Sequence, residues 1–379
     1  MISIKKINEY VRGHFLLVLT GTAVLGAFFA NASQVMKKIV LFRVPHTPWQ
    51  FDVPTLALFF MMFASSVNCR VQDFRHLAKT PRSFLMGLLQ FYMVLPILAW
   101  AGAQLGGLLL PSDIGPQIGC GIALVALMPC AAISNLWVKF VRGNTALLLV
   151  FLTLTTALNI VVTPVLLTAI LGVSKGEINV PKELMVGNLI MGVLFPLVTG
   201  MFLRQFFEKH VQRHADVISL FGILGLHIAF FANSGNAIPI LSRMSFQNLF
   251  IVIGLTVGLN AVSSAVAYLM GRQAKLPYED LATLSVSGGM RSNGIALVVG
   301  MKTFPALPLV TVPAAIYSFC QHIIAGQVKK VLDRRAEAIG AHGKHSDAPV
   351  RAPAIDAPAT GSRLPLNLVK KPEGKRESV

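Results

Sequence analysis

Two short polar patches in an otherwise apolar chain carry the side chains that could do chemistry. One is Ser134-Asn135, reached through Pro129-Cys130; the other is Ser287-Gly288-Gly289-Met290-Arg291-Ser292-Asn293. Hydroxyl and amide oxygens can ligate a cation, amide N–H groups can hold an anion, and a guanidinium can grip a carboxylate or sulfonate with two parallel bonds. No nucleophile–base set, phosphate-binding loop or metal-ligand spacing accompanies them. The expected chemistry is therefore binding, not bond making: no enzyme and no cofactor.

The elements that hold these patches follow from composition. Of 379 residues, 54% are hydrophobic and only 13% charged, which suits a bilayer rather than water. About ten apolar segments are each roughly long enough to cross ~30 Å of hydrocarbon as helix. They lie near 14–32, 53–69, 84–109, 116–141, 145–172, 183–203, 216–240, 247–270, 279–301 and 305–328. Lys5, Lys6, the following apolar run and Ala30-Asn31-Ala32 also resemble a cleavable signal peptide; the repeat described next argues that this segment stays. From Ala336 the chain turns to Ala, Pro, Gly and charge, and 336–379 is expected to be a disordered cytoplasmic tail.

The net charge of +17 is explained by topology, without a nucleic-acid partner. With the amino terminus in the cytoplasm, inner loops hold Arg70, Arg75, Lys79, Arg82, Lys139, Arg142, Arg204, Lys209, Arg213, Arg272 and Lys275. Outer loops hold only Lys37, Lys38, Arg43, Lys175, Lys182, Arg243 and Lys302. The positive-inside rule then puts both termini in the cytoplasm, and the expected location is a bacterial plasma membrane. Cys69, Cys120, Cys130 and Cys320 are widely spaced and suggest neither disulfides nor a zinc site.

The two polar patches fall in the fourth and ninth segments. Each has a helix-breaking stretch, then Ser-Asn, then a short apolar half-helix ending at Gly143 or Gly300. Five segments separate them, so the chain reads as a five-plus-five inverted repeat (about 14–172 and 183–328) within a transmembrane domain of residues 1–335. Matched interrupted helices in inverted repeats point to a secondary transporter with its substrate near the bilayer midplane. An unwound stretch in hydrocarbon leaves backbone groups unpaired at several kcal/mol each, and ions, water or substrate can pair them. Further polar candidates are Asn159, Asn260, Ser263, Ser264, His227, Gln321 and His322, as ligands, proton relays or interhelical bonds.

The segment count, "LLQFYMVLP", "SNLWVKFVRGNTALLLVFLTLTTALNIVVTPVLL", "LPYEDLATLSVSGGMRSNG" and "VPAAIYSFCQHIIAG" resemble the bile acid:sodium symporter family over about residues 10 to 330. The resemblance implies an all-α fold in which broken fourth and ninth helices cross in a core domain beside a panel domain. It implies two sodium ions beside the crossing and a small organic anion in the crevice. It makes Gln90, Ser134 and Asn135 sodium ligands, and here the pattern fails elsewhere. Leu148 and Leu152 stand where a serine and a threonine are expected, Ser287 where a glutamate shared by both sodium sites is expected, and Arg291 where a glutamine is expected. A hard cation needs several oxygens and preferably a carboxylate.

A charge near the membrane centre costs at least ~2.5–3.5 kcal/mol on insertion scales, so it faces a partner or a cavity. Asp52, Asp73, Asp113, Glu177, Glu183, Glu208, Asp216, Glu279, Asp280 and Asp333 all fall in loops or at segment ends. Three readings of Arg291 follow: a tethered cation held by broken-helix carbonyls and by groups such as Gln90, Ser134 and Asn135; a substrate contact in the crevice; or a side chain reaching to water. The expected function is alternating-access transport of a small organic anion with sodium coupling lost. The site would comprise Gln90, Cys130, Ser134, Asn135, Asn260, Ser287, Gly288, Met290, Arg291, Ser292, Asn293 and His322. Alternatives are a sodium-coupled symporter, a transporter-like sensor without flux, and, because arsenite-efflux relatives also carry Pro-Cys at Pro129-Cys130, metalloid efflux. The sequence leaves the oligomeric state open.

Overall fold

In a computed structural model, residues 8, 10–11, 14–67, 81–173, 178–242 and 244–338 are described. Cys69, the basic loop at Arg70–Lys79 and the tail beyond Ala338 lie outside them. The described residues are almost entirely helical. Helix α1 (Phe15–Phe28) is followed by α2 (Ala30–Lys38), then by strands β1 (Val40–Arg43) and β2 (Gln50–Asp52), which pair antiparallel. The expected single span at 14–32 is thus two helices, bent by 91° at Phe29.

Asp52 caps the next helix, α3 (Val53–Ser66), by accepting from the Thr55 N–H, with Pro54 in the first turn where its missing N–H is harmless. Helix α4 (Pro81–Leu109) follows, then the interrupted pair α5 (Gly115–Ala126) and α6 (Ser134–Phe140), and α7 (Thr145–Val173). Helix α8 (Lys182–Phe206) and the short α9 (Glu208–Arg213) lead to α10 (Ala215–Leu241) and α11 (Phe246–Gln273). A second interrupted pair, α12 (Tyr278–Gly289) and α13 (Asn293–Thr303), precedes α14 (Val312–Ala338). Helix α14 continues past Ala336, where the sequence suggested the tail begins.

Among the described residues six helices are long and apolar enough to cross a membrane, or seven if the bent α1–α2 pair is one span; α3 and α5 are shorter apolar helices. Leu17, Phe28, Ile97, Leu108, Phe202 and Phe250 point outward. So much exposed apolar surface suits lipid, not water. Helices α4 and α8 each contain one π-turn, Gln90–Val94 and Ile190–Leu194. Each ends one residue before the position preceding a proline, Pro96 or Pro196, whose absent N–H would leave a regular ladder unpaired.

The interrupted helices form the buried centre. Every residue from Ile118 to Ala131 and from Asp280 to Gly300 is buried, as expected for helices apolar on all sides. Small residues allow this. A Cβ on Gly119 would stand 2.7 Å from the Ala103 carbonyl oxygen and 3.1 Å from its Cα, so α4 and α5 approach backbone to backbone, as membrane helices with small interfaces do. Gly119→Val is therefore expected to destabilise the protein by about 1–3 kcal/mol, the usual cost of overpacking, seen as a lower unfolding temperature in detergent; an unchanged temperature would mean that α4 is not held against α5 there.

Candidate functional site

The two breaks meet directly. Cys130 and Arg291 face each other in a one-residue antiparallel bridge; the Ala131 N–H donates to the Met290 carbonyl (3.1 Å) and the Ser292 N–H to the Pro129 carbonyl (2.9 Å). Pro129 and the Gly288-Gly289 pair explain why each helix stops, since proline removes a donor and glycine favours neither helix nor strand. The glycines also permit close approach: a Cβ on Gly289 would run into Ser264, and one on Gly288 would lie 2.4 Å from the Ala267 Cβ of α11.

Arg291 lies at the centre with 1% of its surface exposed. Its guanidinium donates to the carbonyls of Ser287, Gly288 (3.1 Å) and Met128 (3.4 Å), and sits 4.7 Å from the centre of the Phe91 ring. No carboxylate pairs with it among the described residues. Those carbonyls are the last of α12 and those just past α5, so the cation stands where two helix C-termini converge. Each terminus carries roughly half a negative charge; together they offset about one unit of positive charge. This geometry corrects the reading in which Arg291 reaches to water, and also the expectation that Gln90, Ser134 and Asn135 hold it.

The remaining carbonyls around the breaks are paired by protein donors as well. Leu127 accepts from Asn159 (2.6 Å) and Thr163 (3.1 Å). Gly288 accepts from Ser263 (3.0 Å), and Gly289 from Asn260 (3.0 Å) and Tyr317 (2.7 Å). With Pro129 and Met290 bonded across the bridge, each carbonyl from Leu127 to Pro129 and from Ser287 to Met290 has a donor from the chain itself.

The other candidates divide into engaged and free groups. Gln90 is fully buried and donates to the Ser263 carbonyl (3.0 Å). Ser134 Oγ donates to the Ala131 carbonyl at 2.5 Å and lies 3.4 Å from Cys130 Sγ. Ser287 Oγ turns back to the Leu284 carbonyl (3.4 Å). His322 accepts from the Trp137 indole at 3.1 Å, away from Arg291 in its bonding, and Gln321 accepts from the Arg291 N–H at 3.2 Å. His227 donates to the Ile223 carbonyl of its own helix. Leu148 and Leu152, in the places of expected oxygen ligands, are buried in the core. Asn293 is 5% exposed at the start of α13, yet neither atom of its amide has a hydrogen-bond partner, and Asn135 Oδ1, Asn260 Oδ1 and Gln90 Oε1 are unpaired too.

Sequence reasoning missed Phe91 and Tyr317, and the role of the Met128 carbonyl. Phe91 adjoins Gln90 in the π-turn, but an aromatic in an apolar helix gives no signal of a cation above it. Tyr317 is a buried tyrosine in a membrane helix, a residue type that ordinarily needs a partner for its hydroxyl, and that could have flagged it.

Residues 55–243 match the sodium bile acid symporter family. A Bacillus subtilis protein named as an uncharacterized sodium-dependent transporter, YocS, is 25% identical over 349 residues, covering 91% of this chain and 98% of the relative. Another from Bacillus subtilis, the uncharacterized protein YbaS, is 26% identical over 289 residues, 76% of this chain and 88% of the relative. A chloroplastic rice protein named as a probable sodium/metabolite cotransporter, BASS2, is 25% identical over 283 residues, 74% of this chain and 64% of the relative.

Arg291→Lys keeps the charge but replaces a planar fork with a compact ammonium that cannot span the same carbonyls. It is expected to cost about 1–3 kcal/mol, chiefly through the Met128 carbonyl left unpaired, read as a lower unfolding temperature in detergent; a temperature equal to the parent's would show that the breaks do not depend on the fork.

Proposed function

Starting from a chain that belongs to the sodium bile acid symporter family, a membrane transporter and not an enzyme, we propose that it moves a small organic anion by alternating access without sodium coupling. Its spans form the five-plus-five inverted repeat, with α5–α6 and α12–α13 as the crossed fourth and ninth helices of a core and α3 and α10 in the panel. Arg291 is the fixed cation of that core.

One observation carries this reading. The carbonyls that converge at the breaks, which an ion would need as ligands, are already bonded by the chain's own donors, chief among them the Arg291 guanidinium. A sodium ion entering there would have to displace these bonds beside a buried guanidinium, with leucines at 148 and 152 and, among the described residues, no carboxylate paired there to compensate. The anion preference is supported by the start of α13, whose positive dipole end carries the unpaired amide of Asn293. Arg291 braces the break behind this site: Nη1 and Nη2 are turned to the carbonyls, whose helix ends offset its charge, and Nε is left without a partner.

A second reading, the sodium-coupled symporter, is favoured by the names of relatives, which include a sodium-dependent transporter and a sodium/metabolite cotransporter. The unpaired oxygens of Gln90 and Asn260 are the donors it would use.

Uptake of organic anions into proteoliposomes decides between the two. Equal rates with and without a sodium gradient are expected; stoichiometric sodium dependence would overturn the proposal. Arg291→Gln is expected to reach the membrane and to lose transport by tenfold or more, at least the ~1.4 kcal/mol that a factor of ten represents. Unchanged kinetics would remove Arg291 from the mechanism.

A further inference from the structure

Lys302 and Asp52 form a buried ion pair that no part of the binding site uses. Their side chains are 6% and 3% exposed, and Lys302 Nζ lies 3.1 Å from Asp52 Oδ1. The ammonium also donates to the Gln50 carbonyl (3.1 Å) and to the Thr55 hydroxyl. Asp52 Oδ1 in turn accepts from the Thr55 N–H (2.9 Å) and its hydroxyl (2.7 Å). Two other ion pairs, Arg204–Glu208 and Lys329–Asp333, each join residues one helical turn apart and are partly exposed. This one joins the last turn of α13 to the cap of α3.

The position is informative because α13 meets α3 and α10 along a single seam. At the break end of that seam a Cβ on Gly294 would run into the Met61 side chain of α3 and lie 3.6 Å from Leu226 of α10. Eight residues further on, roughly 12 Å along the helix, Lys302 closes the other end. The contact of α3 with α10 is of a different kind. A Cβ on Gly225 of α10 would stand 2.4 Å from the Ala57 carbonyl, and one on Gly192 of α8 2.7 Å from Leu58. Helix α3 meets α10 backbone to backbone at Gly225, whereas at Gly294 α13 faces the flexible end of a methionine, and that seam also carries the ion pair.

We propose that the Lys302–Asp52 pair is the latch that holds the substrate crevice shut at the end of α13 remote from the break. The proposal rests on the alternating-access reading. A well-packed apolar interface between close backbones does not part without losing its contacts. A buried ion pair can part when the seam opens, because water then solvates both charges. Removing one partner leaves the other buried and uncompensated only in the shut state, so the shut state loses stability and the population moves toward open.

The test is accessibility. In Leu226→Cys protein, labelling by a membrane-impermeant maleimide is measured from each side of the membrane, above the background of the native cysteines. Asp52→Asn keeps the cap acceptor and removes the charge; Lys302→Met removes the ammonium with little change of shape. Each is expected to raise labelling from the side of the Lys302 end at least about fivefold, the low end of ordinary coupling between two states. Lys302→Arg is expected to stay near the parent rate, and Asp52→Asn combined with Lys302→Met to fall between the parent and either single variant. Parent-like labelling in both single variants overturns the latch. If Lys302→Met does not reach the membrane, labelling of Asp52→Asn alone decides the outcome. Uptake by the unsubstituted protein is measured separately: altered labelling with no uptake of any anion would remove transport and keep the latch, and uptake with unaltered labelling would do the reverse.

Discussion

The structure depends on one constraint: a helix interrupted in a buried, apolar interior must find new partners for its backbone, and here two helices are interrupted at one point. Each unpaired group would cost several kcal/mol. The chain meets part of this by pairing the two breaks with each other, Ala131 to Met290 and Ser292 to Pro129. That pairing forces α5 and α12 to end side by side, and two converging C-termini create a negative locus. A positive group is then required there. Arg291 supplies it from within the same break, with the Phe91 ring on one face and three carbonyls on its donors.

A tethered cation and an exchangeable one satisfy the same electrostatics but differ in what they allow. A sodium ion that binds and leaves in each cycle couples its own gradient to the substrate, because its occupancy differs between states. A guanidinium cannot leave. On the proposed reading Arg291 provides pre-organisation and no driving force, so net movement follows the gradient of the anion itself or of a counter-substrate. The unpaired amide of Asn293, across the break from the carbonyls, would then be left to the substrate alone.

The breaks, the Ser-Asn pairs and most apolar spans were legible in the sequence, because helix-breaking residues and hydropathy are local properties. The family was legible too, from the same segments. Three features were not. The 91° bend at Phe29 occurs inside a run with neither proline nor glycine at the turn. That broken-helix carbonyls could hold Arg291 followed from the breaks, but which ones do, Met128, Ser287 and Gly288, and the Phe91 ring beside them, did not, because every residue possesses a carbonyl. Lys302 and Asp52 were visible as charges at segment ends, but their pairing joins residues 250 apart in sequence, and only tertiary structure brings them together.

Three cations on the helices differ in the way each is satisfied, and this orders their roles. Arg204 lies beside Glu208 one helical turn away, partly exposed, an arrangement of little energetic weight. Lys302 is paired with a carboxylate across a seam between elements, so its stability depends on that seam staying shut. Nη1 and Nη2 of Arg291 are bonded to carbonyls of both interrupted segments, so on the proposed reading these bonds do not depend on the panel. A charge whose partners all belong to one body can travel with that body. A charge whose partner belongs to another registers the distance between them. On the proposed reading, two cations of like sign, placed at the two ends of α13, thereby act as a fixed strut at one end and as a position-sensitive contact at the other.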